Sequence, residues 1–132
     1  MDKFKIKIKA IVKCEDKVLL VKKWYDDRIS EPYQWECLDG DMMFGESPDI
    51  AAERIVRDQT QLEVSHGKLI YTWSYTVGDI CYVGICYSFE SVHKDVFLSE
   101  ELLDYRWATK EELSDYPMND RVRNDMFGHF YM

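Results

Sequence analysis

The 132-residue sequence contains no apolar run approaching the roughly 20 residues needed to span a bilayer. Its opening, Met1-Asp2-Lys3-Phe4-Lys5, lacks the apolar core of a signal peptide, so no membrane association and cytoplasmic residence are the expectation. Basic residues are in deficit: 17 Lys and Arg stand against 25 Asp and Glu, a net charge of −8. That balance argues against nucleic acid as partner, because backbone binding is driven by clustered cations. A free nucleotide remains open, since metal ions can offset its phosphates. The four cysteines, Cys14, Cys37, Cys81 and Cys86, form no C-x-x-C pair and no pattern with histidine, and are read as reduced and mostly buried. His66, His93 and His129 are scattered and receive no role. No repeat, low-complexity tract or linker interrupts the chain.

What is present suits one domain over residues 1–132, with 46% hydrophobic and 32% charged residues around a single core. Phe4, Ile6, Ile8 and Ala10 alternate with Lys3, Lys5, Lys7 and Lys9, which predicts a half-buried strand from Lys3 to Cys14. The lysine row reads as a solvated face that guards against edge pairing. Glu15-Asp16 makes a turn, and Lys17 to Trp24 forms the second strand. Tyr25 to Gln34 is a polar loop. A helix follows from about Ser47 to Gln61, with Ser47 as N-cap and Pro48 at the first helical position. Lys68–Val77 and Ile80–Glu90 form a hairpin around Gly78-Asp79. Ser91 to Glu101 is a loop and Leu103 to Ala108 a strand. Thr109 caps a short helix, and a last helical piece runs from about Met118 to Met126.

One stretch carries chemistry. Gly40 is followed after five residues by Glu46, then after seven more by Arg54-Ile55-Val56-Arg57-Asp58-Gln59, with Leu62 beyond. This resembles the signature box of the Nudix hydrolases, G-x5-E-x7-R-E-U-x-E-E-x-G-U, with U aliphatic. Gly40, Glu46, Arg54, Val56 and Leu62 match; Asp58 is a shortened match, and Ile55, Gln59 and Gln61 depart. The strand Lys17 to Lys23, the Trp35-Glu36 pair and the late segments Ser99 to Trp107 and Lys110 to Leu113 resemble other parts of the family. The resemblance implies an α/β (α+β) fold, a Nudix-like α/β/α sandwich with a central mixed β-sheet and a loop–helix box.

It also implies hydrolysis of a nucleoside diphosphate linked to another group, with Mg2+ or Mn2+ held on the box helix. Positions 55, 58 and 59 are three and four residues apart and share one helical face. The family places three glutamates there, whereas this chain has one acid, Asp58, with Gln59 offering a neutral amide oxygen. Asp39 could contribute its backbone carbonyl as a metal ligand, and its residue type tolerates left-handed backbone. Asp41 and Glu36 are further acids near the loop. The resemblance has Glu46 and Arg54 pair to pin loop to helix. It draws a further ligand or general base from the late loop, where Glu101 is the better match and Glu100 the alternative; both also fit a solvated acidic loop. Glycine near the helix end is replaced by Gln61, so the helix exit should differ. For the substrate, Trp24 and Tyr33 are candidates to stack on a base and Arg28 to meet phosphate, although aromatic residues more often serve a core or dimer interface and Arg28 also fits pairing with the acids around it.

Three functions follow: a metal-dependent but weak Nudix-type hydrolase, a catalytically silent Nudix domain that binds a nucleotide, metabolite or protein, or a dimerisation domain suggested by the 14% aromatic content. A nucleotide-type small molecule is the expected partner, and a homodimer is left open.

Overall fold

The lysine–apolar alternation near the N-terminus builds strand β1 (Lys3–Cys14), and a computed structural model, describing residues 3–24, 34–120 and 122–124, shows what surrounds it. Glu15, with φ 58°, turns the chain back into β2 (Lys17–Lys23). Two short strands, β3 (Trp35–Glu36) and β4 (Leu38–Asp41), precede helix α1 (Pro48–Thr60). The hairpin β5 (Lys68–Val77) and β6 (Ile80–Glu90) turns at Gly78, φ +61°. Strand β7 (Leu102–Thr109) and a short 3-10 helix (Glu111–Asp115) follow.

The seven strands of the described residues join one mixed sheet. β1 runs parallel to β6 over its length, Lys3 opposite Ile80 and Lys13 opposite Glu90. Its other edge is shared by β4, with Ile8 opposite Gly40, and by the start of β2. β2 in turn carries β3 and β7, and β5 lies beyond β6. Each face of the sheet is covered. On one, Ile8, Ala10, Val12, Leu19 and Val21 pack under Ala51, Ala52, Ile55 and Val56 of α1. On the other, Ile11, Val18, Leu20, Trp35 and Cys86 pack against Leu113 of the 3-10 helix and against Met118.

Several expectations are corrected. β1 is interior, so its lysines guard no edge; Lys7 binds Asp41 at 2.6 Å, and Lys9 lies 4.8 Å from the centre of the Trp73 ring. The parallel neighbour comes from residues 80–90, too distant for alternation to reveal. Asp39 lies in strand β4 rather than in left-handed backbone. Ser47 has the extended N-cap backbone, but its hydroxyl makes no cap bond; it serves the Asp49 carboxylate instead and lowers that group's pKa. Gln61 adopts the left-handed conformation, φ 62° and ψ 13°, and donates its N–H to the Arg57 carbonyl, so the helix leaves as a glycine would let it. Thr109 and Glu112 form a reciprocal capping box at the 3-10 helix. Of the helix expected from Met118 to Met126, residues 120 and 122–124 are helical while Met118 and Asn119 are not; residues 121, 125 and 126, and residues 25–33 of the polar loop, lie outside the described residues.

Candidate functional site

Between β4 and α1 the chain makes a loop closed by charge. Glu46 accepts the Met43 N–H at 2.9 Å and the Arg54 Nε–H at 2.7 Å. Arg54 also donates to the Asp41 carbonyl at 2.8 Å, so one guanidinium binds both ends of the loop. The Arg54 hydrogen bond, aided by the Met43 amide, holds the Glu46 carboxyl below the usual carboxylate value; Glu46 in turn raises Arg54. Gly45 sits at φ +83°, where a side chain would strain the turn. Gly40 is needed for another reason: a Cβ there would lie 2.9 Å from Ile55 Cδ1.

That contact shows what became of the helix face. Ile55 is 2% exposed and belongs to the core under α1. Gln59 is 8% exposed, and its Nε2–H donates to the Asp39 carbonyl at 2.8 Å. A carbonyl can only accept, so the amide must present its NH2 side. Asp58, by contrast, is an exposed side chain 3.8 Å from Arg54 and 4.0 Å from Arg57. The three positions therefore do not share one environment: two turn into the protein and one faces arginines.

The neighbouring acids are also occupied. Both oxygens of Asp39 accept from Lys23 Nζ, at 2.8 and 3.0 Å, and Glu36 lies 3.4 Å from the same nitrogen. Burial pulls the Lys23 ammonium's pKa down, but the two carboxylates outweigh it and hold the group above the ordinary lysine value. Asp41 is bound by Lys7. The sequence reading missed Lys23. Its signal was a lysine at the end of a strand whose antiparallel neighbours carry acids, and it becomes visible only once β2 and β3 are paired.

The late loop is tied to the C-terminal end of α1. Phe97 N–H donates to the Thr60 carbonyl at 3.0 Å, and Ser99 N–H to that of Gln59 at 3.1 Å. Trp24 donates its indole N–H to the Glu100 carbonyl at 2.9 Å while the residue stays 55% exposed. Glu101 accepts the Ser99 hydroxyl at 3.2 Å. These contacts bring Trp24, Glu100 and Glu101 to the helix end that bears Asp58 and Gln59. Arg28 and Tyr33 lie outside the described residues. A groove of about 410 Å³, lined by Phe4, Lys5, Ile6, Met43 and Phe44 among others, contains none of Asp58, Glu100 or Glu101.

Mg2+ and Mn2+ sites are built from oxygen acceptors, commonly carboxylates. Here the Asp39 carbonyl is satisfied by an amide N–H, Ile55 offers no oxygen, and the Asp39 carboxylate is held by a lysine. Among the described residues no three His, Cys, Asp or Glu side chains come together as a cation site. Among the described residues these donors do not fit a resident divalent cation.

No family model matches the chain. A nucleoside triphosphatase NudI from Escherichia coli O81 (strain ED1a) is 27% identical over 122 residues, covering 84% of this chain and 86% of that protein. A protein of the same name from Enterobacter sp. (strain 638) is 27% identical over 118 residues, covering 79% and 82%. Among solved structures, the MutT protein from Methanosarcina mazei Go1 superposes with a TM-score of 0.78 at 21% identity, covering 98% of this chain and 94% of that one. A NUDIX-family hydrolase from Clostridium perfringens gives 0.77 at 16% identity, covering 95% of each chain.

Proposed function

From the premise that sequence likeness and fold together make this chain a member of the Nudix family, we propose that it binds a nucleoside phosphate-type small molecule and hydrolyses it slowly. The class of ligand is suggested by relatives named as nucleoside triphosphatases. The observation that carries the slowness is the Gln59 amide bound to the Asp39 carbonyl. The loop lock of Glu46 and Arg54 is formed, while Ile55 and Gln59, at the positions where the resemblance places cation-binding glutamates, are buried.

The chemistry left to the chain's own residues is limited. In hydrolysis, water oxygen bonds to phosphorus, the anhydride P–O bond breaks, and the water proton passes to a base. Glu101 is our candidate for that base and Glu100 the alternative; Asp58 is the one box carboxylate still facing solvent. Trp24, anchored through its N–H, offers an exposed ring for stacking on a base, with about 1–3 kcal/mol available per stacked base. Arg28 and Tyr33 are assigned to the same ligand. A positioned general base contributes about 10²–10⁴-fold in rate, equivalent to roughly 3–5 kcal/mol of barrier. An unassisted residual base therefore leaves slow turnover.

A phosphate-release screen tests this. The panel is nucleoside di- and triphosphates, ADP-ribose, sugar nucleotides and dinucleoside polyphosphates, each with and without Mg2+ and Mn2+. Slow release that disappears in Asp58→Ala or Glu101→Ala is the expected result. A second reading, a silent binding domain, is favoured by the buried Ile55 and the satisfied Asp39 carbonyl. It predicts no release but thermal stabilisation by a panel member. Neither release nor stabilisation would sink both readings.

Replacing Gln59 by Glu sets a carboxylate against the Asp39 carbonyl, an acceptor pair that a cation would relieve. The double change Ile55→Glu and Gln59→Glu should thus gain both Mn2+-dependent thermal stabilisation and faster release. A folded double variant that gains neither contradicts this account of the two positions.

A further inference from the structure

β1 has β6 along one side for its whole length, but its other side is covered only in part. β4 pairs with it from Lys7 to Ala10, and the Met42 N–H reaches the Ile6 carbonyl at 3.2 Å. Carried on in that register, β4 would set Met43 opposite Lys5 and Phe44 opposite Phe4. The chain turns away instead, and the Met43 N–H goes to the Glu46 carboxylate at 2.9 Å. Among the described residues no strand lies opposite Lys3, Phe4 and Lys5 on this side. Neighbouring residues of a strand send their N–H and C=O groups to opposite edges. Lys3 donates to the Asp79 carbonyl on the β6 side at 3.0 Å, whereas the Ile6 carbonyl points to the β4 side. Both backbone groups of Phe4 therefore point out of the short open edge.

The groove of about 410 Å³ runs along this edge. Side chains alternate across a strand, so two chemistries border it. On the α1 side stand Phe4, Ile6 and Met42, with Met43 and Phe44 at the rim; Phe4, Met43 and Phe44 are exposed. On the other side stand the exposed Lys3 and Lys5, and neither ammonium meets an acid among the described residues. Asp41 also lines the groove, but Lys7 holds it at 2.6 Å. That pair shows what suits the lysine row: a carboxylate on the residue directly opposite. A second copy does not suit it, because pairing this edge with itself sets Lys3 against Lys5, and like charges directly opposite are destabilising.

We propose that this edge takes an extended peptide, antiparallel to β1, with an apolar residue opposite Phe4 and acidic residues opposite Lys3 and Lys5. The apolar residue exchanges two backbone hydrogen bonds with Phe4 and sets its side chain in the groove, while the flanking carboxylates pair with the two ammonium groups. Main-chain bonds hold such an added strand, and its alternate side chains select it. The inference does not rest on the nucleotide ligand or the reaction.

NMR titration of the 15N-labelled full chain with the peptide acetyl-Ser-Glu-Leu-Glu-Ser-amide tests it. Saturable shifts at millimolar peptide, centred on the amides of Phe4, Lys5, Met43 and Phe44, are the expected result. The counterpart with Lys in place of each Glu should give none. Phe4→Pro removes the outward N–H and leaves the β6 ladder its bonds, because proline is tolerated where a strand's N–H faces away from its neighbour; it should abolish the shifts with the circular dichroism spectrum unchanged. Should that variant fail to fold, the peptide N-methylated at its leucine provides the second arm and should also lose binding. Absence of shifts with the acidic peptide overturns the proposal, as does equal binding of the lysine counterpart or of the N-methylated peptide. Octanoate reproducing the same shifts would replace the peptide by a small amphipathic anion. Shifts of these amides on diluting the protein alone would assign the edge to a second copy. Either result also overturns it.

Discussion

Glu46 shows how one side chain can carry a loop. It accepts from a backbone amide and a guanidinium at once, and the guanidinium reaches back to the strand that the loop leaves. Because its folded pKa lies below its unfolded value, its stabilising contribution is complete above the ordinary carboxylate range and is lost as pH falls through the folded value. The melting temperature of Glu46→Gln should therefore lie below that of the parent at neutral pH, and the gap should narrow on acidification. A gap that stays constant with pH would show that the carboxylate's charge is not what holds the loop. Gln61 is the opposite case, a residue in a backbone conformation that its side chain disfavours. The left-handed region costs a non-glycine roughly 1–2 kcal/mol, partly offset by the flexibility glycine gives the unfolded chain. Gln61→Gly should thus raise stability by about 0.5–1 kcal/mol, read as a higher urea midpoint at unchanged slope.

At the scale of elements, legibility followed the range of the forces involved. The β5–β6 hairpin, α1 and a cap at Thr109 were visible because turn residues, caps and periodicity act within a few positions. Strands β3 and β4 were not: each is held by a partner far away in the chain, and Leu38-Asp39-Gly40-Asp41 has no strand pattern of its own. The box showed the same division. Its spacing identified the loop and helix, and the Glu46–Arg54 pair is formed. That Gln59 donates to Asp39 depends on β4 lying beside the helix, and that Lys23 takes up Asp39 and Glu36 depends on the pairing of β3 with β2. No local reading could supply that.

For the whole molecule, the two-sided core makes a simple claim about access. Cys14, Cys37 and Cys86 are buried, Cys37 with its thiol pKa pushed up by burial, and Cys81 alone is partly exposed. A thiol reagent at mildly alkaline pH should modify one cysteine, Cys81, in the native protein and all four after denaturation. Rapid native labelling of Cys37 or Cys86 would mean that the face covered by the 3-10 helix opens far more readily than its packing indicates. The described residues include no helix long and apolar enough to cross a membrane.

The parallel union of β1 with β6 has a consequence for how this chain is made. Lys3 must find Ile80, so the middle of the sheet cannot be completed when the N-terminal segment emerges from the ribosome. Such high contact order slows folding, because loop closure precedes the contacts that reward it. Until the second half of the polypeptide is synthesised, Ile8, Ala10 and Val12 wait without a neighbour on that side, and the nascent protein is most open to aggregation in that interval.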